Sequence, residues 1–443
     1  MVQYVGRDLS EYGMMKNLFL LMVGVAPVIL STACEKKEIL TGKREAISGV
    51  TVENGAGDLG AGTKINVTPP FLTSSYIDVA GSKQHNSFNY KLHNFKKVLW
   101  STSIGGGQIN SNIVALDGDI YAVSALGKLV CISQKDGKKK WNILVAKQPD
   151  GAIFTGGLTI NNGIIYVATN IGTVIAIDSK THKELWSKAV KFPFRGVPLC
   201  AYEKIIVASV ENRTLCFDAS NGNVIWSKAN DREQTIMAEM GTPAVFQYNI
   251  ICGDSSGSLQ SIDLNGTYNW EDVLFSSDTS QSGSTISHIV ASPVVVGNAV
   301  LVATSESKMA MFDCFSGVRL WEQSIGTVNQ PVINSGWVFV VSSDGKVICL
   351  SEEDGAIRWT SDIDSLCSKK GSKDQRWFGP MIINGDLWIF GSNGNVLNID
   401  ISTGNLKKNN VGVLKNKRLS KMPIIVDGDM FVATSNGDIC KIG

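Results

Sequence analysis

Histidine is scarce in this chain of 443 residues: only four occur, at 85, 93, 182 and 288. No histidine–cysteine pair has metal-ligand spacing, which speaks against a zinc-type site. No nucleophile-elbow motif joins a serine to a histidine and an acid. Net charge is also lacking. Lys and Arg number 41 against 40 Asp and Glu, a formal charge of +1. The bases are spread along the chain, and nucleic-acid binding would call for a basic stripe. Lys135, Lys138, Lys139 and Lys140 cluster at one turn and read as solvated surface. There is no apolar run long enough to cross a bilayer, no adjacent cysteine pair, and no useful helical periodicity after residue 95.

What is present is a repeat. The phrase Asp-x-x-x-Gly-x-x-x-Trp, or a near variant, recurs as Ser133…Gly137…Trp141, Asp178…His182…Trp186, Asp218…Gly222…Trp226, Asp313…Gly317…Trp321 and Ser351…Gly355…Trp359. Asp263…Gly266…Trp270 is one residue shorter, and Asp400…Gly404…Lys408 has lost its Trp. A landmark precedes each copy: Ile113, Leu158, Pro198, Pro243, Pro293, Pro331 and Pro380. Landmark and Trp slot lie 28 residues apart in every copy except the Asp263 one, where the distance is 27. A period of roughly 40–50 residues marks a solenoid, propeller or array.

Inside each unit the pattern is that of strands. Ile164–Thr169, Asp119–Ser124, Trp337–Ser342 and Asp429–Thr434 are β-branched and aromatic runs bounded by Asn-Gly, Asp-Gly or Ser-Gly turns. Four short antiparallel strands per unit make a propeller blade. Seven units run from Ile113 to Lys408, and an eighth begins at Pro423 but stops at Gly443, before its last strand. Lys97–Trp100 offers a strand and a Trp with no unit before it. The expected fold is therefore all-β: an eight-bladed propeller of four-stranded blades over residues 96–443, closed by the N-terminal strand so that no edge is left open.

The recurring acids Asp178, Asp218, Asp313 and Asp400 are expected to cap turns, and the recurring Trp to seal one blade against the next. No catalytic, cofactor-binding or metal-binding residue is expected. Cys131, Cys216 and Cys349 share one slot of the third strand in non-adjacent blades. They are too far apart to bridge and read as buried free thiols. Landmark-to-Trp length barely varies, so length variation gathers in the connectors from each Trp to the next landmark, all on one face of the ring. Such a face commonly binds partners. Ile236, Met237 and Met240, with Ile289 and Val290 in the next connector, are the expected apolar anchors there.

The N-terminus carries a thirteen-residue apolar run, Leu18 to Leu30, after Lys16 and before Ser31-Thr32-Ala33-Cys34. It is too short to span a membrane and suits a signal peptide over residues 1–33, with the true start at Met14 or Met15. Ending on Ala-Cys, it resembles a bacterial lipoprotein signal, although Ser31 stands where a Leu is usual. The resemblance implies lipidation, palmitate included, of Cys34, and Glu35 after it implies the outer membrane. Residues 34–95, rich in Gly, Ser, Thr, Asn and Lys, read as a flexible tether.

The repeat resembles the PQQ-type propeller repeat. With the lipoprotein signal and eight blades, the chain is most similar to the BamB family, lipoprotein subunits of the machinery that folds β-barrels into the bacterial outer membrane. That resemblance implies a non-enzymatic scaffold on the periplasmic face of the outer membrane. Its partners would be the barrel-inserting outer-membrane protein and the other assembly subunits, with no cofactor and no nucleic acid. The family docks through loops before two blades, and the matching stretches here are Thr235–Met240 and His288–Val290. The Arg and the two Asp of the family pattern are not kept. The alternative is a PQQ-dependent quinoprotein dehydrogenase, which shares the repeat but carries an adjacent Cys-Cys pair that this chain lacks.

Overall fold

The structure, a computed structural model, describes residues 64–149, 152, 154–230, 240–274, 288–367, 375–409, 412–414 and 416–443. It is an eight-bladed propeller, each blade a four-stranded antiparallel sheet. The first blade consists of Val114–Leu116, Asp119–Val123, Lys128–Ser133 and Lys139–Leu144, and the next six repeat this order. In the eighth, Ile424–Val426, Asp429–Ala433 and Asp438–Ile442 are completed by Val98–Ser103 from the start of the ring. Trp100 lies opposite Lys441 and Ser103 opposite Asp438.

Sequence explains why each strand sits where it does. The short first strands of neighbouring blades touch around the axis. Second and third strands are apolar on both faces because a blade is covered on both sides by its neighbours, as in Ile120–Val123 and Leu129–Ile132. Fourth strands alternate, as in Val98–Ser103, because only one face meets protein. The first hairpin turns use paired left-handed residues: Asn162 and Gly163 at φ 51° and 75°, Asp427 and Gly428 at 50° and 75°, the geometry that matches strand twist. The core is thus a set of apolar layers between blades, such as Val123, Leu129 and Cys131 of the first against Leu158, Ile165 and Val167 of the second.

The repeated Trp and Gly form the seam between blades. Trp186 of the second blade lies on Gly222 of the third, where an added Cβ would stand 2.5 Å from the ring. Gly222 also has φ +74°, which favours glycine twice over. The indole N–H then donates to a carbonyl of the next blade: Trp186 to Ala219 at 2.8 Å, Trp270 to Cys314 at 2.8 Å, Trp321 to Glu352 at 2.8 Å. Where His182 replaces the glycine, its ring lies 4.6 Å from that of Trp141. Trp100 covers Gly137 of the first blade in the same way, so the split blade also supplies the last seam. In the seventh blade, which has lost its Trp, Phe95 lies edge-on to Trp388 at 5.2 Å.

Cys131, Cys216 and Cys349 each sit directly across from a Trp, at 141, 226 and 359. A small residue fits there because the indole covers it. The eight cysteines among the described residues are free. Burial pushes the thiols of Cys131, Cys200, Cys216, Cys252, Cys314 and Cys349 up to about 12, far from the thiolate that reacts.

The expected tether is corrected for its second half. Residues 64–95 are packed on the ring. The segment crosses the end of the axis on the face of the hairpin turns. Tyr76 pairs with Ala115, Ile160 N–H donates to the Ile77 carbonyl, Val245 N–H to Lys83 and Val295 N–H to Gln84. Asn89–Tyr90 adds a fifth, parallel strand to the inner edge of the seventh blade, opposite Ile382 and Ile383. Tyr90, Leu92 and Tyr76 are buried there. The segment looked polar because its apolar residues are spaced irregularly; it binds mainly through backbone hydrogen bonds, which leave no periodic trace in a sequence.

Candidate functional site: the connector face and the axial cavity

The expected docking residues divide into three groups. Ile236 and Met237 lie outside the described residues, as does Cys34. Met240 is half-buried. Ile289 and Val290 are buried, 3 % and 9 % exposed, and this corrects their expected place in an apolar surface patch. The cause is local. Ile289 N–H donates to the Asp254 carbonyl at 2.9 Å. Its side chain fills the space above Gly253, where a Cβ would meet it at 2.4 Å. Asp254 holds that loop in turn, accepting from Ser256 N–H at 2.9 Å, Ser258 N–H at 3.0 Å and Asn230 Nδ2 at 2.8 Å. Ile289 is thus part of the core between the fourth and fifth blades.

The recurring acids close their own turns. Asp178 accepts from the N–H groups of Lys180 and Thr181 at 3.0 and 2.6 Å, and Asp313 from Phe315 and Ser316 at 3.2 and 2.8 Å. The Thr181 amide for Asp178, and for Asp313 the Ser316 hydroxyl, donating at 2.7 Å, with the Ser316 amide, hold both carboxyls below the usual carboxylate range. Among the described residues no group of three or more His, Cys, Asp and Glu could hold a metal ion. No helix among them is long and apolar enough to cross a membrane.

The concave features on the connector face include a groove and a smaller axial cavity. The groove, of about 570 Å³, runs past the fifth, sixth and seventh blades, lined among others by Glu306, Asp344, Asp362, Asp364 and Arg376. Its acids come from separate loops, so no motif announces it. Asp362 also caps the helix Ile363–Leu366, accepting from Ser365 N–H at 3.0 Å.

The smaller is a cavity of about 190 Å³ on the axis. The crossing segment closes it with Tyr76, Asp78, Val79 and Ser87, while Ile113, Met381, Met422 and Ile424 supply apolar wall. Arg376 and Lys421 line it as well. Burial raises the Asp78 carboxyl to about 7, against a smaller opposing pull from the Val79 amide and the Lys83 charge. Reading by repeat missed this site because its acid belongs to no repeat.

The model of one protein family, outer membrane protein assembly factor BamB, matches residues 147–361, which span the second to sixth blades. Assembly factor BamB of Salmonella typhimurium is 22% identical over 317 residues, covering 69% of this chain and 79% of that one. The Escherichia coli protein of the same name is 22% identical over 316 residues, covering 69% and 78%. Among solved structures, BamB from Moraxella catarrhalis superposes with a TM-score of 0.67 at 17% identity, over 78% of this chain and 98% of that one. A quinohemoprotein alcohol dehydrogenase from Comamonas testosteroni gives 0.64 at 11% identity, over 83% and 80%. At such identities a structural likeness speaks for the fold alone.

Proposed function

The chain belongs to the BamB family, and on that premise we propose that it is a non-enzymatic outer-membrane protein assembly factor. In this reading Cys34 is lipidated and holds the ring at the periplasmic face of the outer membrane. The connector face docks the barrel-inserting subunit, with Ile236, Met237 and Met240 as its apolar contacts. The observation that carries the reading is the family match, which runs unbroken through five consecutive blades. The axis supports it. The chain's own residues 71–90 cross it and leave a cavity of about 190 Å³, below the roughly 300–1,000 Å³ usual for a small-molecule site. That tells against a dehydrogenase working on the axis.

The test is affinity capture from detergent-solubilised membranes. The wild-type chain should retain the barrel-inserting protein, and Ile236→Glu with Met237→Glu should weaken capture with melting nearly unchanged, as for most surface substitutions. Cys34→Ala should move the chain from the membrane to the soluble fraction, since the several acyl chains of such an anchor hold stably. No capture by wild type would sink the docking role. Full capture by the double variant would move the interface elsewhere on the ring.

A further inference from the structure

The axial cavity holds a carboxyl group that the fold does not need. Asp78 is 1 % exposed. Among the described residues its one hydrogen-bond donor is the Val79 N–H, at 2.8 Å. That contact caps the short 3₁₀ turn Val79–Gly81. An asparagine caps a turn as well as an aspartate does, without bringing an ionisable acid into a buried place. A buried polar group with spare capacity calls for an explanation. Lys83, whose charge acts on it, points its Nζ at Asn161 Oδ1, 3.5 Å away.

The surroundings say what would suit that carboxylate. The cavity walls at Ile113, Met381 and Ile424 are apolar. A cavity of 150 Å³ holds benzene, so about 190 Å³ admits one large side chain. A buried carboxylate is far less costly when paired with a cation than alone. We propose that the cavity receives a single lysine or arginine side chain of the protein docked on the connector face, its cation on Asp78 and its methylenes along the apolar wall; this rests on the docking reading above. Arg376, whose guanidinium lies 5.2 Å from the Phe378 ring centre, and Lys421 also line the cavity. The buried acid thus serves as the socket of an interface anchor, a place where a few side chains carry most of the affinity.

The experiment has two arms. In the first, the full-length chain in detergent is titrated with n-butylammonium at pH 8, with n-butanol as the uncharged control. The amine should raise the melting temperature more than the alcohol does, and Asp78→Asn should abolish that difference while melting no lower than wild type. Equal responses to amine and alcohol, or an undiminished difference in Asp78→Asn, overturn the cation site. In the second arm, capture of the barrel-inserting protein should fall at least tenfold in Asp78→Asn. It should fall likewise in Met422→Trp, which fills the cavity and keeps the carboxylate. Capture unchanged in both, with the amine response intact, overturns a docked side chain as the source and leaves a free amine as the ligand. If wild type captures nothing, the docking role and the side-chain source fall together, and the titration still decides whether the cavity binds a cation.

Discussion

Asp178, Asp313 and Asp78 are the same residue type, yet they oppose one another as pH changes. Turn hydrogen bonds hold Asp178 and Asp313 low, so what they contribute is present above the ordinary carboxylate range and is lost as pH falls. Asp78 is raised by burial to about 7 from 3.8. Between those values the folded chain keeps a proton that the unfolded chain has released, so stability falls as pH rises through that window. Asp78→Asn removes the fall. Its gain in stability should be larger at pH 8 than at pH 5, reaching at most about 4 kcal/mol at pH 8, at roughly 1.4 kcal/mol per pH unit between the two values. Urea unfolding at both pH values measures it, and an equal gain at both would show that burial does not hold the proton. The turn acids could be recognised in the sequence because they recur at one slot. Asp78 could not, because nothing local distinguishes a buried aspartate from an exposed one.

At the scale of the element, the fourth strand of every blade but the seventh is held by its indole. The Trp186 ring lies on Gly222, with its N–H 2.8 Å from the Ala219 carbonyl. Replacing it by Phe keeps most of the packing and loses the hydrogen bond, which should cost about 1 kcal/mol. Replacing it by Ala should cost about 3 kcal/mol. Denaturation midpoints of the two variants check this, and equal losses would show that ring packing contributes little to the seam. Strands, turns and seams were all legible in the sequence, because each depends on residues a fixed number of positions apart. Ile289 and Val290 were misplaced for the converse reason. Whether a connector's apolar side chain faces solvent or tucks beneath its loop depends on Asp254 and Gly253, more than thirty residues earlier.

At the scale of the whole molecule, the ring is closed twice. Val98–Ser103 completes the eighth blade, and residues 71–90 cross the axis with hydrogen bonds to the first, second, fourth, fifth, seventh and eighth blades. Removing residues 64–95 should therefore lower the melting temperature by several degrees and leave a closed ring. Extending the deletion through residue 104 removes a strand and the Trp100 seam, and the two exposed edges should cause aggregation. Melting and light scattering of both truncations test this; a first truncation that melts like wild type would show that the crossing segment adds no stability.

The repeat by itself determined the number of blades, the strand order within each, the slots of Trp, Gly and Asp, and the need for a strand from elsewhere to finish the last blade. All of these follow from spacing, since a hairpin or a blade is built from near neighbours in the chain. The crossing segment, the buried acid on the axis and the acidic groove were decided only in three dimensions. Each brings together residues that are distant in the sequence, such as Asp78 beside Met422 and Ile424, or Glu306 beside Asp364. Closing a ring joins the two ends of a chain, and no periodicity along the chain records which residues then meet at its centre.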